Sequence, residues 1–193
     1  MRKHLIWAFA LVAFPLASRA QVPVFEVTPV ASSINFDVEA SVAIKGAFHK
    51  WESSFTCPST DASLCVLDIK IQADSVDTGS GMKNGKLKSK DFFNVQEDPY
   101  ITFKSTKNIQ TSPTTFEVDG DFTIRGVTKP EKLSLTLEGK GTGSGTVTGT
   151  MAFDRKDYGM NKGIPLVKIA NRVEVTVDLK VKRVSGPPLV FKE

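Results

Sequence analysis

Histidine is almost missing from this 193-residue chain: only His4 and His49 occur, and His4 falls in an N-terminal leader described below. A metal site built on imidazoles, or a hydrolytic triad needing one as base, would have to rest on His49 alone. No Asp, Glu or Cys cluster is spaced to complete a metal site around it, and the chain has no nucleophile-elbow motif. The segment Gly46-Ala47-Phe48-His49-Lys50-Trp51 reads as ordinary strand or loop. No catalytic residue, metal ligand or resident cofactor is therefore expected. Cysteine is also scarce. Cys57 and Cys65 are the only two, and their spacing is not that of a redox dithiol. Gly141-Thr142-Gly143-Ser144-Gly145 lacks the Lys-Ser/Thr ending of a phosphate loop. After residue 20 no run is long and apolar enough for a spanning helix, so stable membrane insertion is not expected.

The leader explains most of the charge. Residues 1–20 contain Arg2, Lys3 and Arg19 and no acid, and Leu5 to Ala17 is an apolar run of 13 residues. Ser18-Arg19-Ala20 then places small residues where a signal peptidase requires them, which gives the three-part pattern of a cleavable secretory signal. Removing it takes the formal charge from +4 to about +1, and with it the main electrostatic support for nucleic-acid binding. An exported chain meets an oxidising compartment, the periplasm or the extracellular space. There Cys57 and Cys65, flanking the turn-like segment 58–64, are expected to form a disulfide closing a hairpin.

Beyond residue 24 the dominant period is two. Ile34, Phe36, Val38 and Ala40 alternate with polar residues; so do Leu67, Ile69 and Ile71, then Phe116, Val118, Phe122 and Ile124, then Leu133, Leu135 and Leu137. The run Val173, Val175, Val177, Leu179 and Val181 behaves likewise. Such alternation marks strands with one dry and one wet face. Segments 42–55 and 145–153 add further strands, with Gly46 and Gly149 expected to allow bends or bulges. About eight one-sided strands call for two stacked sheets or one closed barrel, and the pattern leaves both open. Two breaks interrupt it: residues 78–94, expected to hold a short helix ahead of Asp91-Phe92-Phe93, and residues 156–164. Residues 21–184 read as one domain, and 185–193, with Pro187-Pro188, as an extended or frayed tail.

Polar clusters have plain explanations. Asp119 and Asp121 share the wet face of one strand, and Asp154 and Asp157 suit turn chemistry. Lys83, Lys86, Lys88 and Lys90 fit a solvated helical face better than an anion site. More distinctive are the eleven phenylalanines outside the leader, several on the inward register of distant strands. In a sandwich they fill the core; in an eight-stranded barrel they line a cavity for one small guest.

Four ordered motifs bear on the choice. They are Leu87-Lys88-Ser89-Lys90-Asp91-Phe92-Phe93-Asn94-Val95 with Pro99-Tyr100-Ile101-Thr102-Phe103; Val118-Asp119-Gly120-Asp121-Phe122-Thr123-Ile124-Arg125-Gly126-Val127-Thr128-Lys129-Pro130; Phe153-Asp154-Arg155-Lys156-Asp157-Tyr158-Gly159-Met160; and Ser33-Ile34-Asn35-Phe36 with Gly46-Ala47-Phe48. Over residues 25–183 this set resembles the YceI-like family. The resemblance implies an all-β, antiparallel, eight-stranded lipocalin-like barrel with one or two short helices. It also implies a periplasmic, non-enzymatic protein that sequesters a polyisoprenoid, quinone or similar lipid, often as a homodimer. Three features depart from the family pattern: Ser32, Lys83-Asn84 and the cysteine pair. The residues expected to line the pocket are Phe36, Val38, Phe48, Ile69, Phe92, Phe103, Val118, Phe122, Leu135, Phe153, Met160 and Val175. Of Phe92 and Phe93, one ring is expected inside the barrel and one outside. The competing expectation is a ligand-free, stress-related structural or interaction module with a packed core.

Overall fold

The computed structural model describes residues 21–163 and 166–193, so the leader expected over residues 1–20 lies outside the described residues. Alternating apolar positions put every second side chain on one face of a pleat, and the chain forms strands where they occur. In chain order these are β1 (Val24–Val27), β2 (Ser33–Ala40), β3 (Ile44–Phe48), β4 (Trp51–Thr56), β5 (Val66–Gln72) and β6 (Val76–Asp77), then β7 (Tyr100–Gln110), β8 (Thr115–Ile124), β9 (Val127–Glu138), β10 (Ser144–Asp154) and β11 (Ile169–Ser185). One α-helix, α1 (Gly81–Lys88), falls in the first break, and a single 3-10 turn, Arg155–Tyr158, in the second.

Hydrogen bonding runs β1-β4-β5-β7-β8-β9-β10-β11, and β11 returns to β1, which closes an antiparallel eight-stranded barrel. The 17 residues of β11 reach two partners along one edge: β2 through Ile169–Asp178 and β1 through Val181–Ser185. β1 and β2 thus serve as two lengths of one wall, and β3 and β4 as two lengths of the next. The break in that second wall falls at His49-Lys50 rather than at Gly46. Gly149 likewise makes no bulge: it pairs in register with Leu135 and Val177 on its two sides. Both glycines instead make room for neighbouring side chains. One register irregularity lies in β7 at Thr106, between the Ser105↔Gly120 and Lys107↔Asp119 pairs, and two more lie between Val24 and Phe25 of β1 and between Ile169 and Val173 of β11.

The two ends of the barrel differ. The lower end carries the β4–β5 connection, where Cys57 and Cys65 form the expected disulfide and are both buried. The tail is docked there rather than frayed. Val190 bridges Asp61, the Gln110 amide exchanges hydrogen bonds with the Lys192 backbone, and the Phe191 ring packs 6.3 Å from Phe116. At the upper end β9 and β10 diverge above the Ser134↔Thr150 pair. Tyr158, fully buried, packs there with Phe122 and Phe153, at ring distances of 5.4 and 5.2 Å, and its hydroxyl donates to Glu131 Oε1 at 2.7 Å.

Candidate functional site

Below the upper part of its strands the barrel interior is closely packed. Inward glycines lie under large neighbours: a Cβ on Gly120 would stand 2.5 Å from the Phe103 ring, and one on Gly149 2.6 Å from Val177 and 2.7 Å from Leu135. Interdigitation this close fills the interior at that level, and at the lower end only a small pocket of about 80 Å³ lies between the tail and the β9–β10 connection. The upper half is hollow, with a cavity of about 510 Å³. That lies inside the range of roughly 300–1,000 Å³ typical of small-molecule sites.

Eight of the twelve side chains expected at a pocket line this cavity: Phe36, Val38, Phe48, Phe92, Phe122, Phe153, Met160 and Val175. The other four, Ile69, Phe103, Val118 and Leu135, are buried in the packed half and do not reach it. The distinction is one of height. Alternation tells which face of a strand is dry, but it does not tell where along the strand the interior is filled.

Several wall residues were not singled out from the sequence, among them Ile44, Leu87, Phe93, Ile101 and Arg155. Phe93 corrects an expectation. Both Phe92 and Phe93 are buried and face the cavity, because the turn after α1 folds back over the barrel, with the Phe93 N–H donating to the Leu87 carbonyl at 2.9 Å. Phe93 completes an aromatic cluster with Phe36 and Phe48, at ring distances of 6.4 and 5.9 Å. Phe122 and Phe153 form a second pair 5.0 Å apart.

Two arginines hold the loops around the mouth. Arg155 is buried and lines the cavity; its guanidinium donates to the backbone carbonyls of Ala170, Met160 and Lys162 and meets no carboxylate among the described residues. It thereby pins the loop between the 3-10 turn and β11. Arg125, with φ of 54°, shares the tight β8–β9 turn with Gly126 and donates to Gly159 O at 2.8 Å and Lys90 O at 2.9 Å. It ties that loop to the segment following α1. Both arginines sit in motifs visible in the sequence, but nothing in their spacing reveals that their partners are backbone carbonyls.

The cavity wall otherwise offers little polar chemistry. Lys83 and Lys86 reach it at the mouth, where Lys83 donates to Ala43 O at 2.7 Å and Lys86 pairs with Asp91 at 2.8 Å. The hydrogen bond from Lys86 holds the Asp91 carboxyl below the usual carboxylate range, aided by the charges of Lys162 and Lys90. His49 lies elsewhere, exposed, 3.4 Å from Asp77. The chemistry available is burial of an apolar guest in a space where water finds few hydrogen-bond partners.

Comparisons with known proteins follow this geometry. The pattern of the YceI-like domain matches residues 25–181. A UPF0312 protein of Vibrio cholerae is 27% identical over 158 residues, covering 78% of this chain and 84% of that one. Among solved structures, BcnA of Burkholderia cenocepacia superimposes with a TM-score of 0.73 at 22% identity, covering 80% of this chain and 99% of that one. A polyisoprenoid-binding domain from Saccharophagus degradans, implicated in plant cell wall breakdown, gives a TM-score of 0.66 at 17% identity, covering 83% of this chain and 99% of that one. At these identities the structural matches speak for the fold.

Proposed function

Because the chain belongs to the YceI-like family, we propose that it is a periplasmic binding protein that sequesters a long lipophile, a polyisoprenoid or a quinone-like lipid, in the upper cavity of its barrel. One observation carries this reading: the barrel is filled below and hollow above, and the hollow is walled by aromatic and aliphatic side chains. An empty apolar space forfeits the contacts that its lining would otherwise make. An apolar guest restores them, at roughly 25 cal/mol per Å² of its surface buried, before the costs of association. The likeness in fold to a polyisoprenoid-binding domain is in keeping with this class of guest. The leader pattern of residues 1–20 and the Cys57–Cys65 disulfide support export to an oxidising compartment. No covalent step is required of the protein. A ligand-free module with a packed core is the weaker reading, because only the lower half is packed.

The test is to extract the purified protein with organic solvent and analyse the extract by mass spectrometry. The reading predicts one co-purifying lipophile, or uptake of an added polyprenol or quinone. Absence of both contradicts it.

A further inference from the structure

Three stretches border the cavity mouth: the β2–β3 connection with Val42, α1 with Met82, and residues 166–168 ahead of β11, where Val167 lines the cavity and Leu166 precedes it. Val42, Met82 and Val167 line the cavity, yet Val42 is 46% exposed, Met82 89% and Leu166 fully so. Exposed apolar side chains occur elsewhere too, Val30 among them, but Val42 and Met82 stand together on the rim of one apolar chamber.

The same segments are strongly basic. Residues 81–91 carry Lys83, Lys86, Lys88 and Lys90 against Asp91 alone; residues 160–168 carry Lys162 and Lys168 and no acid; residues 41–43 carry no charge. The lip thus holds six lysines and one aspartate, in a chain whose formal charge without the leader is about +1. The adjoining loops add three carboxylates that keep their charge, so the lysines outnumber the nearby acids rather than stand alone. Asp77 accepts from Gly79 N and Asn84 and lies against His49, while Glu97 and Asp98 accept from Asn94.

We infer that the cavity mouth docks on a bilayer surface rich in anionic headgroups, and that the guest passes directly between bilayer and barrel. Exposed apolar tips on lysine-rich segments are the combination that interfacial membrane binding uses: the tips enter the boundary of the acyl region and the lysines meet lipid phosphates. A second copy of this chain is a poor occupant of the same face, since two such basic lips repel. The inference rests on the lipid-binding reading above, and it adds the donor or acceptor from which the lipid moves.

The test uses the chain from Gln21 and co-sedimentation with vesicles, either of phosphatidylcholine alone or of phosphatidylcholine and phosphatidylglycerol in equal parts. Binding is expected on the mixed vesicles, falling as salt is raised. Two variants, Lys88→Glu/Lys162→Glu/Lys168→Glu and Met82→Ser/Leu166→Ser, should each bind about tenfold or more weakly with an unchanged circular dichroism spectrum. The charge-reversed variant should still take up a polyprenol from detergent solution. Equal binding to both vesicle types, or charge reversal without effect, overturns the inference. Wild-type protein that takes up the polyprenol but ignores vesicles also refutes it while leaving the binding reading intact; failure of uptake itself refutes that reading.

Discussion

The ring of Phe36 lies directly over Gly46, its register partner across β2 and β3, so closely that a Cβ at position 46 would stand 2.7 Å from the ring edge and 2.8 Å from the Asp77 carbonyl. Phe36 lines the cavity, and the glycine is what lets the ring lie flat against the wall. Gly46→Ala should push the ring into the hollow and strain the β3–β6 pairing. A loss of about 1–3 kcal/mol is expected in urea unfolding, together with weaker polyprenol uptake. Unchanged stability and uptake would show that the contact does not shape the cavity.

Filling the hollow should differ from overfilling the packed half. Val175 faces the cavity, whereas Phe103 is buried against Gly120. Val175→Trp should keep the melting temperature near that of the wild type and abolish uptake of a polyprenol. Phe103→Trp should cost about 1–3 kcal/mol through strain. Thermal denaturation and ligand titration of the pair check this; equal destabilisation by both would argue against an open upper half.

Tyr158 gives a pH-dependent signature. Burial, followed by its hydrogen bond to Glu131 and that carboxylate's charge, pushes the phenol well above its ordinary value. In the unfolded chain the phenol ionises near about 10. The contribution to stability is therefore complete below that pH and declines above it, where the unfolded chain has released a proton that the native state retains. Tyr158→Phe should cost about 2 kcal/mol at neutral pH through the lost bond to a charged acceptor. It should also flatten the fall in stability between roughly pH 10 and 11. Urea unfolding across that range is the measurement, and an unaltered slope in the variant would refute the assignment.

The disulfide joins two residues 8 apart in sequence. The chain-entropy account gives about 2.5 kcal/mol for a loop of this length. Cys57→Ser/Cys65→Ser should lose about that much in denaturant unfolding, with polyprenol uptake preserved, because the bridge lies at the end opposite the cavity. Loss of uptake in the folded variant would mean that the two ends are coupled.

The walls of this protein were legible in its sequence because strand alternation is local: Phe36 and Val38, or Phe122 and Ile124, declare the dry face by spacing alone. Pocket residues were harder to tell from core residues. Phe103 and Phe122 are paired neighbours of the same type, yet one is in solid packing and the other lines the hollow. That difference depends on Gly120 and on the turn after α1, which roofs the upper end. The roof itself was only partly readable. The break at residues 78–94 announced a helix, but a turn that folds both Phe92 and Phe93 inward depends on tertiary hydrogen bonds. Likewise, Pro187-Pro188 suggested an extended tail, while its docking on Asp61, Gln110 and Phe116 is a long-range contact without a local signal.

The central claim is that the upper hollow of one barrel holds one lipophile, and native mass spectrometry of the delipidated protein titrated with a polyprenol tests it most directly. The account predicts a single added mass per chain at saturation, absent in Val175→Trp. No adduct in the wild type, or equal adducts in both proteins, would contradict it.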